Sequence, residues 1–214
     1  MTADQPTARR PTARQPLTGQ AAAGSYAVVA VASSAGGVQG LSELLGALGP
    51  RLPVPVLVVQ HLDPRHRTVI ADVLDRRTDL PVQIAEAGEK PIPGTVHIAP
   101  PGRHLLVGSD GKLTLSDAEL VHFVRPSADL LFESVAAFYG SRAIACVLTG
   151  TGVDGAMGVE AVHSRGGTVI AENPQTAQFS GMPQAAVTTG AVDFVLPLVE
   201  IAEVVRGLLD ATGQ

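Results

Sequence analysis

The sequence of 214 residues contains no tryptophan, one cysteine, two tyrosines and five phenylalanines. A single cysteine cannot close an internal disulfide, so Cys146 points to a reducing compartment, and the protein is expected to be cytoplasmic. No apolar run approaches the ~20 residues that a membrane-spanning helix needs. The N-terminus also lacks the apolar stretch of a signal peptide, so no membrane insertion is expected. An excess of positive charge is missing as well. Fifteen Lys and Arg stand against 20 Asp and Glu, a net charge of −5. No basic field favours nucleic acid. His97, His104, His122 and His163 are scattered, and no metal-ligand spacing emerges. With aromatics so scarce, the core must be aliphatic. A composition rich in Val, Ala, Leu and Gly suits a parallel sheet covered by helices.

Residues 1–24 are rich in Thr, Ala, Gln, Pro and Arg and hold almost no large apolar side chains. Such a segment cannot bury enough surface to offset its ordering entropy, so a disordered polar tail is expected. Residues 25–210 form one domain. Short apolar runs bounded by turn signals predict buried strands over 26–32, 54–60, 82–85, 96–99, 143–148, 168–171 and 192–195. Helical patterns lie between them, over about 39–48, 67–77, 128–139, 156–164 and 198–209, with a short helix over 184–188. Ser127 is placed to cap the helix over 128–139, with Leu130, Leu131, Val135 and Phe138 facing inward. Residues 104–116 read as two strands around Ser109-Asp110-Gly111, a hairpin expected as an antiparallel edge of the sheet. His66 is expected at the surface. The alternation predicts an α/β fold, a doubly wound three-layer sandwich whose sheet is mainly parallel, with an antiparallel hairpin.

Polar residues close three of the predicted strands. Ser34 follows the first, in Ser-Ser-Ala-Gly-Gly, His61 follows the second, and Asp154 lies in the loop after the Cys146 strand. In a parallel sheet the carboxyl ends share one edge, where such folds bind ligands. Serine, histidine and aspartate meeting there supply a nucleophile, a base and a carboxylate that orients the imidazole. Each residue also has a plain structural use: small turn residues, a strand-end cap, a helix N-cap. A second reading competes. Residues 150–155 match G-x-G-x-x-G after a buried strand and before a helix, and Glu172 ends the next strand where a ribose-binding acid would sit. On that reading the loop binds a nucleotide or dinucleotide. Against it, the unit comes late in the chain, and the Asp154 carboxylate would face the pyrophosphate. Arg125 is a candidate to hold a substrate carboxylate. Met182 is either a core plug or the wall of a substrate pocket.

The stretches VASSAGG, VVQHLDP, HIAPPGRH, RPSADLLF, VLTGTGVDGAMG and FSGMPQAAV occur in this order. Together they resemble the catalytic domain of CheB-type protein-glutamate methylesterases of bacterial chemotaxis, over about residues 26–209. The resemblance implies hydrolysis of glutamate γ-methyl esters on methylated chemoreceptors, with deamidation of certain glutamines, and no metal or nucleotide cofactor. It puts the nucleophile on Ser34, the base on His61 and the orienting acid on Asp154. The oxyanion donors fall on the backbone N–H groups of Ala35 and Thr151. Ala35 and Thr151 look closest to the branch fused to receptor methyltransferases, and Val124 stands where the family often has histidine. The residues before the domain are too few and too polar for a receiver domain. Regulation is then expected from a separate protein, and the chain serves chemotaxis or another sensory pathway. A non-catalytic receptor-binding adaptor is the remaining alternative.

Overall fold

A computed structural model describes residues 25–62 and 68–211. The polar tail and His66 lie outside the described residues. The domain is built on a parallel sheet of seven strands: β1 (Val28–Ser33), β2 (Val56–Gln60), β3 (Val82–Ile84), β4 (Val96–Ile98), β7 (Ala143–Val147), β8 (Thr168–Glu172) and β9 (Phe194–Leu196). Their order is β3-β4-β2-β1-β7-β8-β9. β1 is therefore central, and the winding reverses on either side of it. Every residue of β1, β2 and β7 is buried. This is why these runs are continuously apolar rather than alternating.

Helices cover both faces. α1 (Gly37–Leu48), α2 (Ile70–Asp75) and α6 (Leu198–Asp210) lie on one side, where Leu41, Leu44, Leu45, Leu74, Ile201 and Val205 share a core with Val29, Val31, Val56 and Val58. α3 (Ala128–Tyr139), α4 (Ala156–Ser164) and α5 (Gly181–Thr188) lie on the other, around Leu131, Phe132, Val135, Val159 and Met182. Among the described residues no helix is long and apolar enough to cross a membrane.

The hairpin departs from expectation. β5 (His104–Val107) and β6 (Leu113–Ser116) pair with each other and form a separate two-stranded ribbon. Its apolar side chains, Leu105, Val107 and Leu113, bury against Leu131 and Val135 rather than extending the sheet. Its edge is tied to α3 as well, since the Val107 N–H donates to Ser134 Oγ at 3.0 Å. Gly111 turns the hairpin at φ +76°, and a Cβ there would run into the Phe138 ring. Phe138 thus lids the ribbon from outside and remains 36 % exposed, while Leu130 is half-buried; Leu131 and Val135 face inward as expected.

Candidate active site

The parallel register assembles the site. Ser33 pairs with Gln60 across β1 and β2, and Ala32 pairs with Val147 across β1 and β7. The residues just beyond these pairs are Ser34, His61 and the loop after β7. Backbone bonds continue the alignment past the strand ends: His61 N–H donates to Ser33 O at 3.1 Å, and Ser34 N–H to Thr149 O at 3.0 Å. Ser34 is thus flanked by His61 on one side and by the Thr149–Asp154 loop on the other.

The turn after Ser34 is tight. Gly36 has φ +74°, a conformation that side chains rarely adopt, and α1 begins at the next residue. Gly37 N–H donates to Ser34 O at 2.8 Å. The start of α1, with its surplus of N–H groups, is therefore turned toward the serine. On the opposite side, Gly150 allows close approach. A Cβ there would stand 2.9 Å from Ser34 Cβ and would collide with Met182 Sδ. Met182 is 1 % exposed and backs this loop from inside the core.

His61 Nε2 lies 2.8 Å from Asp154 Oδ2. The two groups come from positions 93 residues apart, and both are well covered, at 12 % and 3 % side-chain exposure. Asp154 sits at the mouth of α3. Its Oδ1 accepts from Ser127 Oγ (2.7 Å) and Asp129 N–H (3.2 Å), and its Oδ2 accepts from Ala128 N–H (2.6 Å). Burial by itself would raise the Asp154 carboxyl. The bond from His61 and those from Ala128 N–H and Ser127 outweigh it and hold the group below the ordinary aspartate range. The carboxylate is therefore fixed, charged and aimed at one ring nitrogen. Among the described residues His61 Nδ1 has no partner, so with Nε2 engaged by Asp154 it is the ring nitrogen available for proton transfer. Ser34 Oγ makes no hydrogen bond among the described residues.

Thr149 stitches the loop to its neighbours. Its hydroxyl donates to Ala35 O at 3.1 Å and accepts from Phe179 N–H at 2.9 Å. Its N–H donates to Glu172 Oε2 at 2.7 Å. Among the described residues, the N–H groups of Ala35 and Thr151 donate no hydrogen bond.

An apolar groove of about 220 Å³ opens beside His61, lined by Leu62, Gly102, Leu120, Phe123, Val124 and Arg125. Arg125 Nη1 donates to the carbonyls of Asp117 (2.8 Å) and Ala118 (2.7 Å), which pins the preceding loop. At the tip of that loop His122 and Phe123 both have positive φ, and Phe123 is 95 % exposed.

The nucleotide reading meets a physical obstacle. Two of the N–H groups at the start of α4, where a pyrophosphate would sit, are already taken. Asp129 Oδ1 accepts from Gly155 N–H at 2.9 Å and Gly158 N–H at 2.8 Å. Glu172 is buried, with one carboxyl oxygen accepting from Thr149 N–H. The glycines instead serve the approach of Met182 and Ser34 and the packing of α4 on α3. Among the described residues no three His, Cys, Asp or Glu side chains group as a metal site.

Some site residues escaped sequence reasoning. Ser127 was legible as a helix cap, but its hydroxyl also donates to Asp154. Asp129 stands in the first turn of α3, where an acid is ordinary. Gln60 carried a signal in retrospect, being the one polar residue in the otherwise apolar VLVVQ strand.

With this geometry in place, comparisons place the chain among known proteins. Residues 29–205 match the family model described as CheB methylesterase. A protein-glutamate methylesterase/protein-glutamine glutaminase of Cupriavidus metallidurans is 42 % identical over 175 residues, 82 % of this chain and 52 % of that protein. A relative from Leptospira interrogans is 34 % identical over 84 % of this chain and 93 % of its own length. The chain thus spans about half of the first relative and nearly all of the second. The crystal structure of the Thermotoga maritima CheB methylesterase catalytic domain superposes with a TM-score of 0.81 at 37 % identity, covering 87 % of this chain and 99 % of that one. The family model covers most of the chain, and the solved domain shares its parallel sheet and separate antiparallel pair: the chain belongs to the CheB methylesterase family.

Proposed function

We propose that the protein is a serine hydrolase that demethylates glutamate γ-methyl esters on a methylated chemoreceptor or related sensor protein. The observation that carries the reading is the 2.8 Å His61–Asp154 contact at the sheet edge where Ser34 follows the central strand. His61 Nδ1 takes the Ser34 proton as the hydroxyl oxygen attacks the ester carbonyl. The tetrahedral oxyanion rests on the N–H groups of Ala35 and Thr151, beside the N-terminus of α1. Asp154 stabilises the imidazolium. The proton returns to the departing methoxy oxygen, and methanol leaves. Water deprotonated by His61 then attacks the acyl-serine and frees the glutamate. With a glutamine substrate the same steps release ammonia. The relatives are named for both activities.

The groove that His61 helps to line takes the apolar residues next to the ester, Arg125 holds its wall, and Met182 backs the Gly150 loop. The single cysteine is buried and suits a reducing compartment, so we place the enzyme in the cytoplasm.

The test is methanol release from receptor preparations carrying labelled methyl groups. Wild type should turn over, and Ser34→Ala should lose activity to background with an unchanged melting temperature. Equal rates for the two proteins would exclude Ser34. Receptor binding without turnover by wild type would identify an adaptor instead.

A further inference from the structure

Gln60 ends β2, one residue before His61, and is 3 % exposed. Its side-chain amide is fully engaged at the junction of β1 and β2. Nε2 donates to Ser34 O at 2.8 Å and to His61 O at 3.0 Å, while Oε1 accepts from Ser33 Oγ at 2.7 Å. One planar group therefore bridges the main chain of the two residues proposed as nucleophile and base. The fit is tight. A Cβ at Gly37 would collide with Gln60 Oε1 and approach Ser33 Oγ to 2.8 Å, so the first residue of α1 leaves room for this amide.

The bond to Ser34 O reaches further than the serine. The Ser34 carbonyl and the Ala35 N–H belong to one planar trans peptide and point in opposite directions. Gln60 Nε2 and Gly37 N–H, each 2.8 Å from Ser34 O, together fix that plane. Fixing the carbonyl also fixes where the Ala35 N–H is aimed. Hydrogen bonds accepted by a carbonyl polarise its peptide and strengthen the N–H as a donor.

We infer that Gln60 is a positioning residue for the hydrolysis: it orients the Ser34–Ala35 peptide so that the Ala35 N–H meets the oxyanion, and it locks the spacing of Ser34 and His61. The inference rests on Ser34 acting as the nucleophile. A donor aimed before the reaction begins stabilises the transition state without reorganisation, so its loss falls on kcat rather than on KM.

The test uses the full chain with Gln60→Met, which keeps length and removes both donors, and Gln60→Glu, which as a neutral acid among carbonyls keeps one. Two readouts are taken: kcat and KM for methanol release, and the rate and final stoichiometry of Ser34 labelling by a fluorophosphonate. Gln60→Met should lower kcat by about tenfold or more while KM stays within about twofold. Labelling should slow in parallel and still reach wild-type stoichiometry, and Gln60→Glu should recover part of both rates. A merely structural role would instead reduce the labelled fraction at an unchanged rate, and that result overturns the inference. So does Gln60→Met with both rates within about twofold of wild type. Should Gln60→Met not fold, Ser33→Ala, which frees Oε1, decides: a fall in kcat and labelling rate supports the role, and unchanged rates overturn it. If wild type is labelled at Ser34 but releases no methanol, the methylesterase reading fails, while the labelling rates still judge Gln60.

Discussion

Asp129 and Asp154 cap each other's helices. Asp154, in the loop before α4, accepts the N–H groups of Ala128 and Asp129 at the start of α3, and Asp129, in the first turn of α3, accepts those of Gly155 and Gly158 at the start of α4. The loop that carries Asp154 toward His61 is thereby clamped at its α4 end. Asp129→Ala would leave two buried N–H groups without an acceptor. Each such loss costs roughly 1–3 kcal/mol, so urea unfolding should show a clear drop in stability. The hydrolysis rate should fall too, because the Asp154 loop loses its anchor. Asp129→Asn keeps an acceptor oxygen and should retain most of both.

The two carboxylates also answer pH with opposite signs. Burial, with the neighbouring Asp154 charge adding to it, raises the Asp129 carboxyl above the ordinary aspartate value, while Asp154 is held below it. Folding therefore disfavours the Asp129 charge, and stability rises as pH falls from the raised Asp129 value toward about 3.9. Asp154 contributes stability above about 3.9, and this is lost as pH drops through its depressed folded-state value. Melting temperatures measured against pH should show the first effect in wild type and lack it in Asp129→Asn. Loss on acidification should persist in that variant.

Gly150 stands between Met182 Sδ and Ser34 Cβ. Gly150→Ala should displace both neighbours, at a cost of about 1–3 kcal/mol for overpacking. It should also lower the hydrolysis rate by moving Ser34. Combining it with Met182→Ala, which opens space on one side, should give a stability loss smaller than the sum of the single losses. A double-mutant cycle by denaturant unfolding measures that coupling.

Phe123 projects beside the groove at His61, on a turn whose two central residues hold left-handed backbone. Phe123→Ser should raise KM for the methylated receptor by a few fold and leave kcat unchanged, the pattern of lost uniform binding. Fluorophosphonate labelling of Ser34 should be unaffected.

Cys146 lies fully buried in β7, and burial pushes its thiol up to about 12. The thiolate is the reactive form, so a disulfide reagent such as DTNB should find no target in the native protein and one equivalent after unfolding in urea.

The strands of the sheet were readable because burial on both faces leaves an unbroken apolar run, and VVAVA, VLVV and AIACV could hardly be anything else. Ser34 and His61 were readable because each terminates such a run, and parallel strands put their ends on one edge. What escaped depends on partners distant in sequence. The hairpin's placement is decided by α3, through Ser134 and Phe138, which local turn chemistry does not specify. The G-x-G-x-x-G match left a second reading open because a motif records where glycines are needed, not what fills the space they open. Here the space is filled by Asp129 and Met182 rather than by phosphate. Asp129 itself has nothing local to distinguish it from a routine first-turn acid.

The central position of β1 has a consequence for the timing of assembly. Its neighbours β2 and β7 come from widely separated parts of the chain, and the histidine and aspartate that meet beside it are 93 residues apart. During synthesis the serine emerges early, yet the strand that completes its surroundings is made much later. A nascent or truncated chain ending before Asp154 would hold Ser34 without the carboxylate proposed to orient His61, and so would remain inert toward esters. Recovery of hydrolysis during refolding would then track the slow, long-range closure of the sheet rather than the formation of helices. Enzymatic turnover would serve as a stringent clock for the last step of folding.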